Sequence, residues 1–316
     1  MPKKISLVIP AHNEGEAIYA NLATILAAVP EAGADLAFEA IVIDDGSTDD
    51  TAAEVLRFSA HDPRVSLVAF TRNFGKEASI LAGLDHAGGE AVIVMDADLQ
   101  HPPALIAQMV ALWRQGFAVV EAVKQDRGAE SAGSRLFAWL FYALFRRSSG
   151  FDLATRSDFK LLDRSVVEAY RALPENRRFF RGLIAWLGHP LAQIPFSVPP
   201  RQGGKSRWGT FKLLRYAIDN LTAFSAIPLH IVSWLGAAML LLGMVIGTAS
   251  LVQKWRGEAL DGFTTVILLI VIASGVLMVS LGVIGHYLAC IYDELKHRPA
   301  YILKPQRRDE PCREEP

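Results

Sequence analysis

The chain has 316 residues, enough for two domains, and a formal net charge of −1, which offers no basic surface to nucleic acid. Hydrophobic residues make up 51% of it, and the excess over an ordinary soluble chain is concentrated near the C-terminus. Cys290 and Cys312 are the two cysteines; their spacing excludes a cysteine metal site, and no disulfide is expected between them.

Through residue 125 the pattern alternates between short apolar runs and amphipathic helices. Strands are predicted at 5–9, 40–43, 65–70, 91–95 and 118–123, and helices at 16–29, 49–58, 75–87 and 102–115. The run at 5–9 is too short for the core of a signal peptide. Ser47, Thr48 and Asp49 suit the N-cap of the second helix, and Pro102-Pro103 suits the first turn of the fourth. The alternation implies an α/β fold with a parallel sheet covered on both faces. Ligands then bind where the strands end, at 10–14, 44–47, 71–76 and 96–100. Each of these clusters is polar where its strand is apolar.

The sharpest of them is Met95-Asp96-Ala97-Asp98-Leu99-Gln100-His101. Two carboxylates one residue apart at a buried strand's end need partners. A divalent cation shared with a diphosphate is one, since Mg²⁺ and Mn²⁺ take oxygen ligands; a solvated Asx-turn is the other reading. Asp44 and Asp45 close the second strand, and Lys76 lies near the third. Acidic strand ends with a lysine suit a nucleotide–sugar diphosphate. No Gly-x-Gly-x-x-Gly opens the first helix, which disfavours a dinucleotide site, and Gly204-Lys205-Ser206 lacks the strand and leading glycine of a P-loop.

Residues 126–230 are less regular. An apolar helix is expected at 134–145, a strand at 157–162, a helix at 163–172, a strand at 193–198 and a basic loop at 199–208. Residues 209–224 alternate basic and apolar residues at helical spacing, as an interfacial helix or an ordinary packed one would. Two long apolar stretches follow, 231–252 and 262–289, each long enough to cross roughly 30 Å of hydrocarbon. Buried core helices are the alternative. Six glycines, Gly236, Gly243, Gly247, Gly275, Gly282 and Gly285, would permit close helix packing, and Trp234, Trp255 and Tyr287 suit interfacial anchoring. Lys212 and Arg215 precede this hairpin, while Lys296, Arg298, Lys304, Arg307 and Arg308 follow it. The positive-inside rule therefore places both termini in the cytoplasm and the loop 253–261 outside. The expected layout is a cytoplasmic domain at 1–208, a juxtamembrane segment at 209–230, spans at 231–252 and 262–289, and a cytoplasmic tail at 290–316.

Several stretches together, LVIPAHNE (7–14), IVIDDGSTD (41–49), the run at 71–103, SDFKLLDR (157–164), RFFRGLIAWLG (178–188) and HRPAYIL (297–303), resemble the family 2 glycosyltransferases, specifically the polyprenyl-phosphate glycosyltransferases. The resemblance covers about residues 4–304. It implies a glycosyltransferase type A fold and inverting transfer from a nucleotide sugar to a polyprenyl (undecaprenyl) phosphate on the cytoplasmic membrane face, for cell-envelope glycan modification. UDP-glucose or a similar UDP-sugar is the favoured donor, with GDP-mannose the other.

Carried onto matching positions, the resemblance implies that Ala11, Glu14 and Asp44 contact the base, with Asp45 close behind and Pro10 among the substrate-binding residues. It puts Asp96 and Ala97 at the ribose, and Asp96, Asp98 and Gln100 at Mg²⁺ or Mn²⁺. Asp158 takes the acceptor-side acid or base position. Arg127 and Arg135 would hold the lipid phosphate, and Arg201, Lys205 and Arg207 belong to a loop closing over phosphates. The implied partners are the nucleotide sugar, the polyprenyl phosphate and the lipid bilayer, and a homo-oligomer is compatible with them. Many relatives have Arg where this chain has Lys160. Two rival readings are a processive polysaccharide synthase and a non-catalytic membrane scaffold. The first needs more than two spans and a Gln-x-x-Arg-Trp motif, absent here; the second leaves the acidic residues without a role.

Overall fold

The structure, a computed structural model, describes residues 3–33, 35–124, 157–176, 178–196, 227–256 and 263–305. β1 (Lys3–Ala11) and β2 (Leu36–Asp44) are buried from Ile5 to Ile9 and from Ala40 to Asp44, as central strands covered on both faces must be. β3 (Val65–Ala69) pairs with β2, and β4 (Ala91–Val94) pairs with β1, all in parallel. β5 (Val119–Lys124) is parallel to β7 (Leu191–Phe196), and β6 (Lys160–Asp163) is antiparallel to both β4 and β5. The seven-stranded order is β3-β2-β1-β4-β6-β5-β7. The sheet is mostly parallel, as a glycosyltransferase type A fold implies, and its antiparallel member comes from the strand expected at 157–162: β6 inserts between β4 and β5 against their direction.

The helices are α1 (Ile18–Ala28), α2 (Thr51–His61), α3 (Lys76–His86), α4 (Leu105–Arg114), α5 (Arg164–Arg171) and α6 (Phe180–Trp186). Alternate strand residues point to opposite faces. Ile5, Leu7, Ile9 and Ile93 form one core cluster with Ile18, Leu22 and Ile25 of α1 and Ile106, Met109 and Val110 of α4. Each such side chain, fully buried, contributes about 1.5–3 kcal/mol. On the other face α3 lies directly on β1: a Cβ at Gly83 would stand 2.1 Å from Val8 Cγ1. The expected cap of α2 differs. Asp50 occupies the N-cap without a side-chain cap bond. Asp49 instead accepts from Thr51 N (3.1 Å) with one oxygen and from Gly15 N (2.9 Å) with the other, tying the β1 and β2 loops together.

A second compact unit contains α7 (Ile227–Trp255) and α8 (Phe263–Leu295). Candidate spans run over Leu229–Ala249 and Leu269–Leu295. Leu240 and Met278 are each 68% exposed, so these are not the buried core helices of a soluble domain; such faces need an apolar surrounding. The six glycines do not mark a tight contact among the described residues, because there a Cβ at any of them would meet nothing within 4 Å. Residues 299–305 rejoin the sheet-containing unit.

Candidate functional site

Register brings the expected residues together. Ala11 pairs with Asp44, and Asp44 with Ala69, so three parallel strands end in one row. β6 pairs Lys160 with Val94 in antiparallel sense. Two residues beyond Val94 is Asp96, and two residues before Lys160 is Asp158, so the reversed strand carries Asp158 to Asp96.

The β1 and β2 loops hold each other. Ala11 O accepts from Asp45 N (2.9 Å), Ser47 Oγ from Asn13 N (3.0 Å) and Asn13 Oδ1 from Thr48 N (2.9 Å). Pro10 and Glu14 are half-buried beside them, and Ala11 is buried. Asp44 is fully buried; one oxygen accepts from Ser47 N (2.9 Å), and the other has no hydrogen-bond partner among the described residues. Such an orphaned acceptor is costly unless a ligand donor reaches it. Asp45, also buried, accepts from Phe74 N (2.7 Å) and Gly75 N (2.9 Å). Burial pushes its carboxyl up, against the pull of those two amides. Its place is thus under the turn that leads into α3. Gly46, at φ +64°, lets this loop press on the next one: a Cβ would stand 2.3 Å from Arg72 C.

The second acidic turn is open. Asp98 is exposed and accepts from Gln100 N (3.1 Å), and Leu99 sits at φ +56°, an uncommon conformation for a branched residue. Ala97 is buried and its carbonyl accepts from Asn21 Nδ2 (2.8 Å). Lys76 Nζ bridges Asp96 Oδ1 (2.5 Å) and Asp158 Oδ2 (2.9 Å). Burial alone would lower its ammonium, but the two carboxylates outweigh it and hold it above its ordinary value. Arg181 forks onto Asp158, Nε to Oδ1 at 2.6 Å and Nη2 to Oδ2 at 2.7 Å. Burial would raise the Asp158 carboxyl; Arg181 and Lys76 reverse this and hold it far below the carboxylate range. No group of three or more His, Cys, Asp or Glu side chains is gathered for a metal among the described residues. Arg127, Arg135, Arg201, Lys205 and Arg207 lie outside the described residues.

Residues 6–170 match the family described as Glycosyl transferase family 2. The chain belongs to this family. It is 35% identical over 308 residues to an uncharacterized glycosyltransferase of Synechocystis, covering 96% of this chain and 95% of that one. It is 34% identical over 310 residues to the SfII prophage-derived bactoprenol glucosyl transferase of Shigella flexneri, covering 98% and 100%. Glucosyl-3-phosphoglycerate synthase from Mycobacterium tuberculosis, solved with Mn²⁺, UDP and phosphoglyceric acid, shares the fold: TM-score 0.51 at 22% identity, over 70% of this chain and 78% of that one.

Three residues of this glycosyltransferase site escaped the sequence reading. Arg181 lay inside a quoted family stretch but had no role. His101 is buried, accepts from Asp96 N (3.2 Å) and stacks on Phe159; burial lowers its pKa and keeps it a neutral acceptor. Glu77 accepts from Phe180 N (2.8 Å), holding the start of the helix that carries Arg181. Like Arg181, it lay inside a quoted family stretch, beside Lys76, but had no role.

Proposed function

We propose that this protein transfers a sugar from a nucleotide sugar to a polyprenyl phosphate at a membrane surface, with inversion at the anomeric carbon. The observation that carries this reading is the near end-to-end likeness to a bactoprenol glucosyl transferase, which includes both long apolar helices. That likeness favours UDP-glucose or a related UDP-sugar over GDP-mannose. The orphaned oxygen of Asp44 supports a base or ribose donor beside it. Pro10, Ala11 and Glu14 would line the base, and Asp45 would set the turn behind it.

Asp96 and Asp98, with Gln100 in the same turn, would hold Mg²⁺ or Mn²⁺. The Lys76 ammonium on Asp96 is a stand-in cation there, and few carboxylates are needed when substrate phosphates complete the shell. Once bound, the metal offsets charge developing on the diphosphate leaving group. The acceptor's phosphate oxygen forms the new bond to the anomeric carbon as the bond to the diphosphate breaks and its electron pair leaves with it. A phosphate monoester with a second pKa near ~6 is largely dianionic at neutral pH, so no strong base is required. Asp158, held far below neutrality by Arg181 and Lys76, is a poor base. Its work is to hold two cations beside the reacting phosphates. Arg127, Arg135, Arg201, Lys205 and Arg207 are proposed to complete the acceptor side. The positive charges around the hairpin support cytoplasmic termini, a cytoplasmic catalytic domain and two spans in the plasma membrane.

The test is purified protein with undecaprenyl phosphate and a panel of labelled UDP- and GDP-sugars. The expected product is a single sugar on the lipid phosphate, abolished by chelator and absent with undecaprenol. Polymer growth would favour a processive synthase, and no transfer from any donor would favour a scaffold.

A further inference from the structure

The stretch 297–303 carried part of the family likeness, yet it holds no candidate site residue. In the structure its second half pairs with the C-terminal end of the sheet's exposed edge. β3 is the edge strand, and an edge presents unpaired amides and carbonyls. Lys304 N donates to Ala69 O (2.7 Å), Thr71 N donates to Ile302 O (3.0 Å), and Leu303 bridges antiparallel to Phe70. Tyr301 stacks on the fully buried Phe70, with centroids 5.1 Å apart and planes 12° from parallel. The Tyr301 hydroxyl donates to Asp85 of α3 (2.9 Å), which also takes Arg171 of α5 (2.8 Å). This short strap is therefore fixed to the sheet edge and to α3.

What the strap grips leads straight into the site. Phe70 meets Phe74 edge-on at 5.7 Å. The amides of Phe74 and Gly75 hold Asp45, the backbone of Arg72 and Asn73 lies against Gly46, and the next residue is Lys76, which reaches Asp96 and Asp158. The loop 71–75 is thus wedged between the strap on one side and the two acidic loops on the other. We propose that residues 301–304 belong to the donor site, with Tyr301 a positioning residue that sets the 71–75 loop for nucleotide-sugar binding. This rests on the reading of the 44–47 and 96–100 loops as the donor side. The segment that follows the hairpin then completes a site whose other described parts lie at 10–181.

The experiment uses the full chain in detergent, with Tyr301→Ala, Tyr301→Phe and Lys304→Pro. Two readouts are taken: hydrogen exchange of residues 71–76, and the KM for UDP-glucose and for undecaprenyl phosphate. Loss of the ring should speed exchange at Phe74 and Gly75 while β1 and β4 stay protected. It should raise the UDP-glucose KM about tenfold and leave the acceptor KM within about twofold, the size expected for a misplaced binding loop. Tyr301→Phe keeps the stack and should show a smaller change of the same kind. Lys304→Pro removes one backbone donor without touching the aromatic stack, and should loosen the same amides even if Tyr301→Ala unfolds the chain. Unchanged exchange at 71–76 in folded variants overturns the proposal, as does loosened exchange with an unchanged donor KM. If the wild type turns over no UDP-glucose, the donor reading fails on that result, and the exchange arm alone still decides whether the strap sets the loop.

Discussion

Two acidic turns end β2 and β4, the strands on either side of β1 in one sheet, and the fold treats them in opposite ways. Asp44 and Asp45 are buried and answered by backbone amides, with a single oxygen left over. Asp96 is half-buried and Asp98 exposed, and they are answered by Lys76 and by the amide of Gln100. Amides are fixed by the chain, so the first turn is rigid, as the proposed base-binding wall would need to be. A lysine ammonium is exchangeable, so the second turn can hand its carboxylates to another cation. Burial, not residue type, separates the two roles.

The comparison predicts its largest effect at Asp98. Asp98→Asn removes one carboxylate charge from an exposed position that accepts from the amide of Gln100. Turnover should fall on the order of a hundredfold, while the melting temperature stays unchanged because nothing buried is disturbed. Equal activity of mutant and wild type, with and without chelator, would remove the metal from this turn.

Next comes Arg181. Arg181→Gln breaks a bidentate charge-assisted pair, worth about 2 kcal/mol or roughly thirtyfold in kcat. Asp158 would keep Lys76 alone, so its carboxyl should climb toward the ordinary range. In the wild type its depressed pKa contributes stability that is present above the unfolded value and lost as pH falls. The variant should therefore lose activity at a higher pH on the acid side, and Arg181→Lys should recover part of the rate. An acid limb that does not move would show that the fork has no hold on Asp158.

These two residues also mark how far the sequence could be read. The strands and helices up to residue 124 were legible because each carries its own period, and Asp44, Asp96 and Asp98 were legible because they end apolar runs. The direction of β6 was not: a four-residue strand with three buried residues looks the same whether its neighbours are parallel or antiparallel. Contacts across long separations were equally silent. Arg181 meets Asp158 across 23 residues, Glu77 meets Phe180 across 103, and Thr71 meets Ile302 across 231. None of these pairs has a local pattern, so only the folded sheet reveals them.

Asp44→Ala sharpens the comparison from the buried side. If its orphaned oxygen accepts from the donor's base or ribose, its loss should raise the nucleotide-sugar KM about tenfold, the worth of one hydrogen bond. The acceptor KM should not change. A parallel rise in both constants would mean that Asp44 only supports the loop through Ser47 N.

The smallest effect, and the one that probes the link between α3 and α6, is at Glu77. Burial and the nearby Asp158 charge raise its carboxyl from 4.5 to about 7. An acid raised in the folded state contributes stability that is fully present below the unfolded value and is lost as pH climbs through the folded one. Wild-type stability should therefore decline across this window, by roughly 2–4 °C in melting temperature between about pH 5 and pH 8. Glu77→Gln keeps an oxygen to accept from Phe180 N, so Arg181 should stay on Asp158 and turnover should stay near wild type. What the substitution removes is the titration, and the melting curve should flatten relative to wild type across the same window. Every other ionisable group is common to both proteins and cancels in the difference. Identical slopes for the two would show that the Glu77 carboxyl is not the group that ionises, and that its contact with Phe180 N does not feel the charge of Asp158.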